Sequence, residues 1–93
     1  MEITRNDAEG RYAAVSDDGA QAGELTFEVD DGVTRLLHTA VGDEFEGQGV
    51  GSALARRALD DARRDGVRVD PKCGFVASYI QRHPEYAGLV TTA

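Results

Sequence analysis

The side chain best suited to covalent chemistry is the single cysteine, Cys73, which lies between a short apolar stretch and a run with helical periodicity. A thiol at a helix N-terminus can have a lowered pKa and act as a nucleophile. The alternative interpretation is a small buried hydrophobic residue. The residues around Cys73 leave both interpretations open.

One further side chain, His38, is a candidate for proton transfer. His38 lies in an apolar run typical of a strand, where its neutral imidazole could deprotonate an amine or the thiol of Cys73. A histidine that is simply hydrogen-bonded on a sheet face is the alternative. Tyr79 lies in a helical run and shares a face with Phe75, which favours packing in the core. Because His38, Cys73 and His83 lack metal-ligand spacing, we expect no metal site.

A glycine-rich segment, EGQGVG at residues 46–51, directly precedes a helical pattern. A helix N-terminus carries free N–H groups and the positive end of the macrodipole, and glycines allow a ligand to approach the backbone. The segment therefore predicts a phosphate or pyrophosphate site that needs no basic side chain. Its spacing fits neither a Walker loop nor a dinucleotide fingerprint. The alternative is a tight connection, which the neighbouring carboxylates of Asp43, Glu44 and Glu46 favour because they repel phosphate.

The first half of the chain consists of predicted strands joined by turns. The segment AGELTFEVD at residues 22–30 alternates between apolar and polar residues, as expected for a strand with one buried face. Asp-Gly turns flank it on both sides. In the next segment, VTRLLHTAV, apolar residues occur on both faces, which predicts a strand covered on both sides.

The second half changes to helical spacing. Apolar residues from Val50 onward recur every three or four positions and leave Arg57, Asp61 and the other charged residues outside, while Gly66 is a plausible stop. A short strand, VRV, precedes a second helix, GFVASYIQRH, which Pro84 ends. The predicted fold class is α+β (mixed α/β): an antiparallel meander, a parallel strand–helix–strand unit, and helices packed on one twisted sheet.

Length and composition limit the remaining possibilities. With 93 residues, the chain is expected to form a single domain over residues 1–93. The net charge of −7 disfavours binding to nucleic acid or to an anionic membrane. No apolar stretch approaches the ~20 residues of a membrane span, and the N-terminus does not resemble a secretion signal. A lone cysteine suits the reducing cytoplasm. The oligomeric state stays open, with a monomer as the default expectation.

The segment EGQGVGSALARRAL resembles the acyl-CoA-binding segment of the GCN5-related N-acetyltransferase (GNAT) superfamily, which runs Arg/Gln-x-x-Gly-x-Gly/Ala at a strand-to-helix turn. In this chain Glu46 replaces the usual Arg or Gln. A closer resemblance is to a group of very small GNAT-like proteins with the motifs HT-x-V, G-x-G-x-G, P-x-C, Y-I and HPEY. The chain has all five in this order within residues 36–90.

This resemblance implies an acetyl-CoA-dependent N-acetyltransferase with a GNAT-like acyl-CoA N-acyltransferase core. The acetyl acceptor would be a small amine or an exposed protein amine, and no metal would be needed. Cys73 would lie near the thioester, and two routes stay open: transfer of the acetyl group through Cys73, or direct transfer to the amine, the usual GNAT route, which needs no cysteine. His38 would act as a base, and Tyr79 would protonate the leaving CoA thiolate. The resemblance implies the following acetyl-CoA-binding residues: Thr39, Ala40, Val41, Gly47, Gln48, Gly49, Val50, Gly51 and Ser52.

The chain also departs from ordinary GNAT enzymes. Those enzymes insert helices between their first two strands, whereas here only NDAEG at residues 6–10 separates them. The acceptor side is therefore expected to be open. The alternative function is a CoA- or acyl-CoA-binding module, or a partner-binding module, with little transferase activity. On the first helix, Arg56 or Arg57 could reach an adenosine phosphate.

Overall fold

The computed structural model describes residues 1–91, which form five strands and two α-helices. Two 3-10 segments, Asp43–Phe45 and Pro84–Leu89, connect or follow these elements. In chain order the strands and α-helices are β1 (Glu2–Asn6), β2 (Arg11–Val15), β3 (Gln21–Asp30), β4 (Val33–Val41), α1 (Val50–Asp65), β5 (Arg68–Pro71) and α2 (Gly74–Arg82).

The five strands form one mixed sheet in the order β1-β2-β3-β4-β5. Strands β1 to β4 are antiparallel neighbours, and β5 lies parallel to β4 after the crossover through α1. The predicted fold class is confirmed. Strand β5 extends to Pro71, two residues beyond the predicted end at Val69.

Both α-helices lie on the same face of this sheet. A side chain at Gly23 of β3 would meet Val50 and Leu54 of α1, and a side chain at Gly51 of α1 would meet the ring of Phe75 in α2. The core lies between this face and the helices, as the apolar spacing of α1 predicts. Its largest fully buried side chains are Tyr12, Leu25, Leu36, Leu54, Leu59, Val69 and Val76.

The prediction that β4 is covered on both faces was wrong. Thr26 pairs with His38 whereas Phe27 pairs with Leu36, so Leu37 is the extra residue of a β-bulge. Leu37 is 39% exposed, because no helix formed by residues 1–91 covers the second face of the sheet. The physical reason is the short β1–β2 turn, because its four residues 7–10 are too few to form a helix over that face.

The end of the described chain packs against α1 and β5. The Tyr86 hydroxyl donates to Asp60 of α1 at 2.7 Å. Val90 then forms an isolated parallel bridge with Val69, and the N–H of Thr91 donates to the Val69 carbonyl at 2.8 Å. Among residues 1–91, no helix is both long enough and apolar enough to cross a bilayer.

Candidate active site

A groove of about 240 Å³ opens between the end of β4 and the N-terminal turns of α1 and α2. Strand β4 continues to Val41, whereas its pairing with β5 ends at Leu36. The backbone edge of residues 37–41 is therefore not covered by β5. The groove is lined by Val41, Phe45, Glu46, Gly47, Gly49, Val50, Gly51, Ser52 and Phe75.

The N-terminus of α1 opens onto this groove without a side-chain cap. Gly49 is the N-cap residue and has φ 80°, a left-handed conformation that favours glycine. Gly47 has φ 81°, and a side chain at either glycine would meet nothing within 4 Å. The first-turn N–H groups of a helix have no intrahelical acceptor. An anionic group can thus approach them directly, which is what a pyrophosphate requires.

Gln48 differs from the other predicted loop residues. Its N–H donates to the Phe45 carbonyl at 3.3 Å, and its side-chain amide donates to the Glu44 carbonyl at 3.4 Å. Both donors are therefore used within the loop, and Gln48 does not line the groove. The amides of Val50, Gly51 and Ser52, which begin α1, are better placed for a ligand.

The acidic residues near the loop point mostly into solvent. Asp43, Glu44 and Glu46 are all exposed, and only Glu46 lines the groove. Exposed carboxylates interact with a nearby anion across water, where the interaction is weak and screened by salt. Glu46 is thus the one acidic side chain that directly weakens an anion site here.

Cys73 is held at the N-terminus of α2 by its backbone. It is the N-cap residue of this helix, and its N–H donates to the Leu36 carbonyl of β4 at 3.0 Å. The thiol is partly buried. Its Sγ lies 3.3 Å from the Thr39 hydroxyl, so the N-cap residue of α2 and the free end of β4 meet at this sulfur.

The surroundings of Cys73 stabilise its thiolate form. Partial burial by itself raises the pKa of the thiol. The hydrogen bond with Thr39 and the backbone N–H groups of Val76 and Phe75 act in the opposite direction and outweigh burial, so the pKa of Cys73 lies below its ordinary value. A helix N-terminus and a hydroxyl donor are the physical causes of this shift.

The β-bulge places His38 on the other face of the sheet from Cys73. His38 pairs with Thr26, whereas Thr39 pairs with Leu25, whose side chain is fully buried on the helix face. His38 and Ala40 are both exposed. The structure therefore brings Thr39 rather than His38 to the thiol. A sequence reading that assumes strict alternation along β4 does not predict this arrangement, because the bulge reverses which residues share a face.

Tyr79 lies in a packed aromatic cluster on α2. It is only 3% exposed, its ring stacks on His83 at 4.0 Å between centroids, and Tyr86 follows at 6.2 Å. The structure places it in the core near α1, six residues after Cys73. Across residues 1–91, no three His, Cys, Asp or Glu side chains are grouped so that they could hold a metal ion.

The candidate site thus combines a β4 that continues beyond its pairing with β5 and an uncapped, glycine-rich N-terminus of α1. Residues 11–89 match the family model described as GCN5-related N-acetyl-transferase. The chain belongs to this family, which confirms the family that the motifs indicated.

Solved structures support the same assignment. A GCN5-like protein of Staphylococcus aureus, solved by NMR, is 26% identical with a TM-score of 0.75, over 99% of this chain and 89% of that one. Nourseothricin acetyltransferase shares the fold, with 24% identity, a TM-score of 0.58, and coverage of 82% of this chain and 47% of that one.

The curated relatives are longer than this chain. Protein NATD1 of Xenopus tropicalis is 31% identical over 49 residues, which are 53% of this chain and 45% of that protein. Protein NATD1 of Homo sapiens is 29% identical over 52 residues, which are 56% of this chain and 46% of that protein. The chain thus spans about half the length of the curated relatives it matches.

Proposed function

We propose that this protein is an acetyl-CoA-dependent N-acetyltransferase acting as a single domain over residues 1–93. The observation that carries the proposal is the meeting of two helix N-termini at one groove. One terminus is uncapped and glycine-rich. The other contributes Phe75 to the groove and carries, beside the groove-lining residues, the Cys73 thiol, whose pKa is lowered. The first suits a pyrophosphate and the second suits a thioester carbonyl. The lone cysteine fits a cytoplasmic location.

Acetyl-CoA would be bound mainly by backbone groups. The amides of Val50, Gly51 and Ser52 would donate to the pyrophosphate. The pantetheine arm would run along residues 37–41 of β4, whose edge β5 leaves uncovered. Val41 and Phe75 give this path an apolar wall. Thr39 and Ala40 stay predicted contacts of the arm, with Thr39 also bonded to the thiol.

Acetyl transfer through Cys73 would proceed in two balanced steps. The Cys73 thiolate attacks the thioester carbonyl, a new carbon–sulfur bond forms, and CoA leaves as a thiolate that takes up a proton. A neutral amine then attacks the acetyl-cysteine, the Cys73 thiolate leaves, and the amine loses a proton. Thr39 supports the thiolate before the first step and after the second.

The roles of His38 and Tyr79 stay predictions. His38 faces the open side of the sheet, from which an amine acceptor would arrive, and it would take the proton from that amine. Tyr79 would donate a proton to the CoA thiolate, although its burial places it mainly in the packing between α1 and α2. The net charge of −7 would steer cationic amines toward the protein, an effect that salt weakens.

Calorimetric titration with acetyl-CoA and with CoA, followed by mass spectrometry of the protein, tests this proposal. We expect saturable binding of both ligands and, with acetyl-CoA alone, a mass increase of one acetyl group on Cys73. A Cys73→Ala variant should bind both ligands and gain no mass. Transfer to amines by this variant at the wild-type rate would overturn the covalent route, and absence of binding by the wild type would overturn the function.

A CoA- or acyl-CoA-binding module with little transferase activity is the second candidate function. Two observations favour it. Glu46 lines the groove where related loops carry a cationic or amide side chain. In the part of the chain that the structure describes, no helix covers the face of the sheet that bears His38. A panel of small amines and lysine peptides, assayed for release of CoA, separates the two. Binding of acetyl-CoA without release of CoA on any acceptor would support the module.

A further inference from the structure

Two adjacent arginines of α1 have different surroundings. Arg57 is bonded within the fold: its Nε donates to Asp61 at 3.2 Å, and its Nη1 donates to the Ile3 carbonyl at 2.9 Å. It also lies over the Tyr12 ring at 5.8 Å. The sequence could not distinguish Arg57 from Arg56, but the structure assigns Arg57 to the contact between α1 and the β1–β2 hairpin.

Arg56 is exposed on the side of α1 that continues the groove. It lies one helical turn after Ser52, a groove-lining residue, so the two side chains are neighbours on one helix face, roughly 6 Å apart at Cβ. The pKa of Arg56 is raised chiefly by the nearby Tyr79 hydroxyl and less by Asp60. Within residues 1–91, Arg56 forms no ion pair with a carboxylate, unlike its neighbour Arg57.

We propose that Arg56 binds the 3′-phosphate of the acyl-CoA substrate, so that the protein discriminates CoA thioesters from thioesters lacking this phosphate. This inference rests on the proposed function, because the acyl-CoA must first occupy the groove. The amides of α1 hold the pyrophosphate, and the adenosine end then lies outside the groove, over the surface where Arg56 is exposed.

Charge explains why one side chain can dominate this discrimination. A phosphate monoester carries about −1.5 to −2 charges at neutral pH, and a protein of net charge −7 repels it over most of its surface. Other cations near α1 are already bonded: Arg63 donates to the Glu85 carbonyl, and Arg64 pairs with Asp61 and Asp65. Arg56 is exposed at its place on the helix, so its planar set of donors is available to the ligand.

The test is calorimetric titration of the full chain with acetyl-CoA and with 3′-dephospho-acetyl-CoA. The wild type should bind the dephospho ligand about tenfold more weakly, the size expected for one charge-assisted hydrogen bond. Arg56→Gln should bind acetyl-CoA about tenfold more weakly than the wild type. The same variant should bind the dephospho ligand as the wild type does, since the contact is already absent.

The matched control is Arg63→Gln, which removes the same charge from the same helix two turns further on. It should keep the wild-type preference for acetyl-CoA. If Arg56→Gln and Arg63→Gln weaken acetyl-CoA binding equally, the effect is general electrostatics and the proposal is wrong. If the wild type binds both ligands equally well, the proposed function is supported and the proposed role of Arg56 is wrong. If the wild type binds neither ligand, the proposed function and the proposed role of Arg56 are both wrong.

Discussion

The two ends of α1 are built in opposite ways. At the N-terminal end, Gly49 caps the helix without any side-chain hydrogen bond, and the first turn faces an open groove. At the C-terminal end, the N–H of Gly66 donates to the carbonyls of Ala62 and Arg63. One turn before that end, the buried carboxylate of Asp61 accepts the Tyr12 hydroxyl at 2.7 Å.

This difference shows where the fold leaves backbone donors for a ligand. The Asp61 carboxylate is also contacted by Arg57 and Arg64 at 3.2 Å and by Arg5 at 3.4 Å, and the Arg5 guanidinium stacks over Phe27. Polar groups at this end thus have internal partners, and their role is stability. The first turn at the other end has no side-chain cap, which is why we propose ligand binding as the role of its N–H groups.

Removing the carboxylate at the C-terminal end should have the largest effect on stability. Asp61→Ala leaves Tyr12 and three arginines without their shared acceptor. We expect the free energy of unfolding to fall by about 3 kcal/mol. This is the low end for breaking a buried pair, since the arginines can turn toward water. Urea unfolding measures it. The control Asp65→Ala, at a more exposed carboxylate, should cost no more than about 1 kcal/mol. Equal losses of unfolding free energy in the two variants would contradict the stabilising role assigned to the buried Asp61.

The same carboxylate should make stability sensitive to acid. Burial alone raises the pKa of Asp61, but the Tyr12 hydroxyl and Arg57 outweigh it, so the folded-state pKa lies below the usual value. The stabilisation is therefore complete above the unfolded pKa of about 3.9 and is lost as the pH falls through the folded pKa. Urea unfolding at several pH values between about 2 and 6 should show this loss in the wild type. An Asp61→Asn variant should show a flatter profile.

At the N-terminal end, Gly51→Ala should impair binding. The added methyl group would lie 2.7 Å from the Phe75 ring, which must shift in the groove. Overpacking of this kind costs about 1–3 kcal/mol. We expect the affinity for acetyl-CoA, measured by titration, to fall about tenfold. Gly74→Ala is the control, because a side chain there meets nothing within 4 Å. Unchanged affinity in Gly51→Ala would show that Phe75 does not line the acetyl-CoA site.

The two left-handed glycines at the ends of α1 give a direct test of the difference between these ends. Gly49 has φ 80° and Gly66 has φ 72°, so alanine at either position should destabilise the fold by about 1–2 kcal/mol. Thermal unfolding should give similar losses for the two variants. Only Gly49→Ala should also weaken acetyl-CoA binding, because it moves the first-turn amides. A binding loss in Gly66→Ala of the same size would remove the distinction between the two ends.

The smallest expected effect concerns the N-terminus of α2, which resembles that of α1 in facing the groove. Thr39→Val removes one hydrogen bond to the Cys73 sulfur, worth about 0.5–1.5 kcal/mol. The pKa of Cys73, measured as the pH dependence of alkylation by iodoacetamide, should rise. Thr39→Ser should restore it, since serine keeps the hydroxyl. An unchanged alkylation profile in Thr39→Val would leave the helix amides as the cause of the shift.

Much of the candidate site could be predicted from local sequence. The glycine pattern before Val50 indicated an open helix N-terminus, and six of the nine predicted acetyl-CoA-binding residues line the groove. Gln48 does not, because its donors close the loop on itself. The sequence predicts that Thr39, Ala40 and Val41 contact one ligand along β4. Because the bulge at Leu37 shifts the register, Thr39 faces the helices whereas His38 and Ala40 face the open side.

The sequence by itself determined the kind and order of the elements, the termini of α1 and the glycine-rich turn. These features depend on periodicity and backbone conformation within a few residues. Only the tertiary structure decided that Asp61 is buried, that Arg57 pairs with a carboxylate whereas Arg56 forms no ion pair within residues 1–91, and that Thr39 meets Cys73. The physical reason is distance along the chain. Tyr12, which bonds Asp61, is 49 residues away, and no local pattern specifies such a partner.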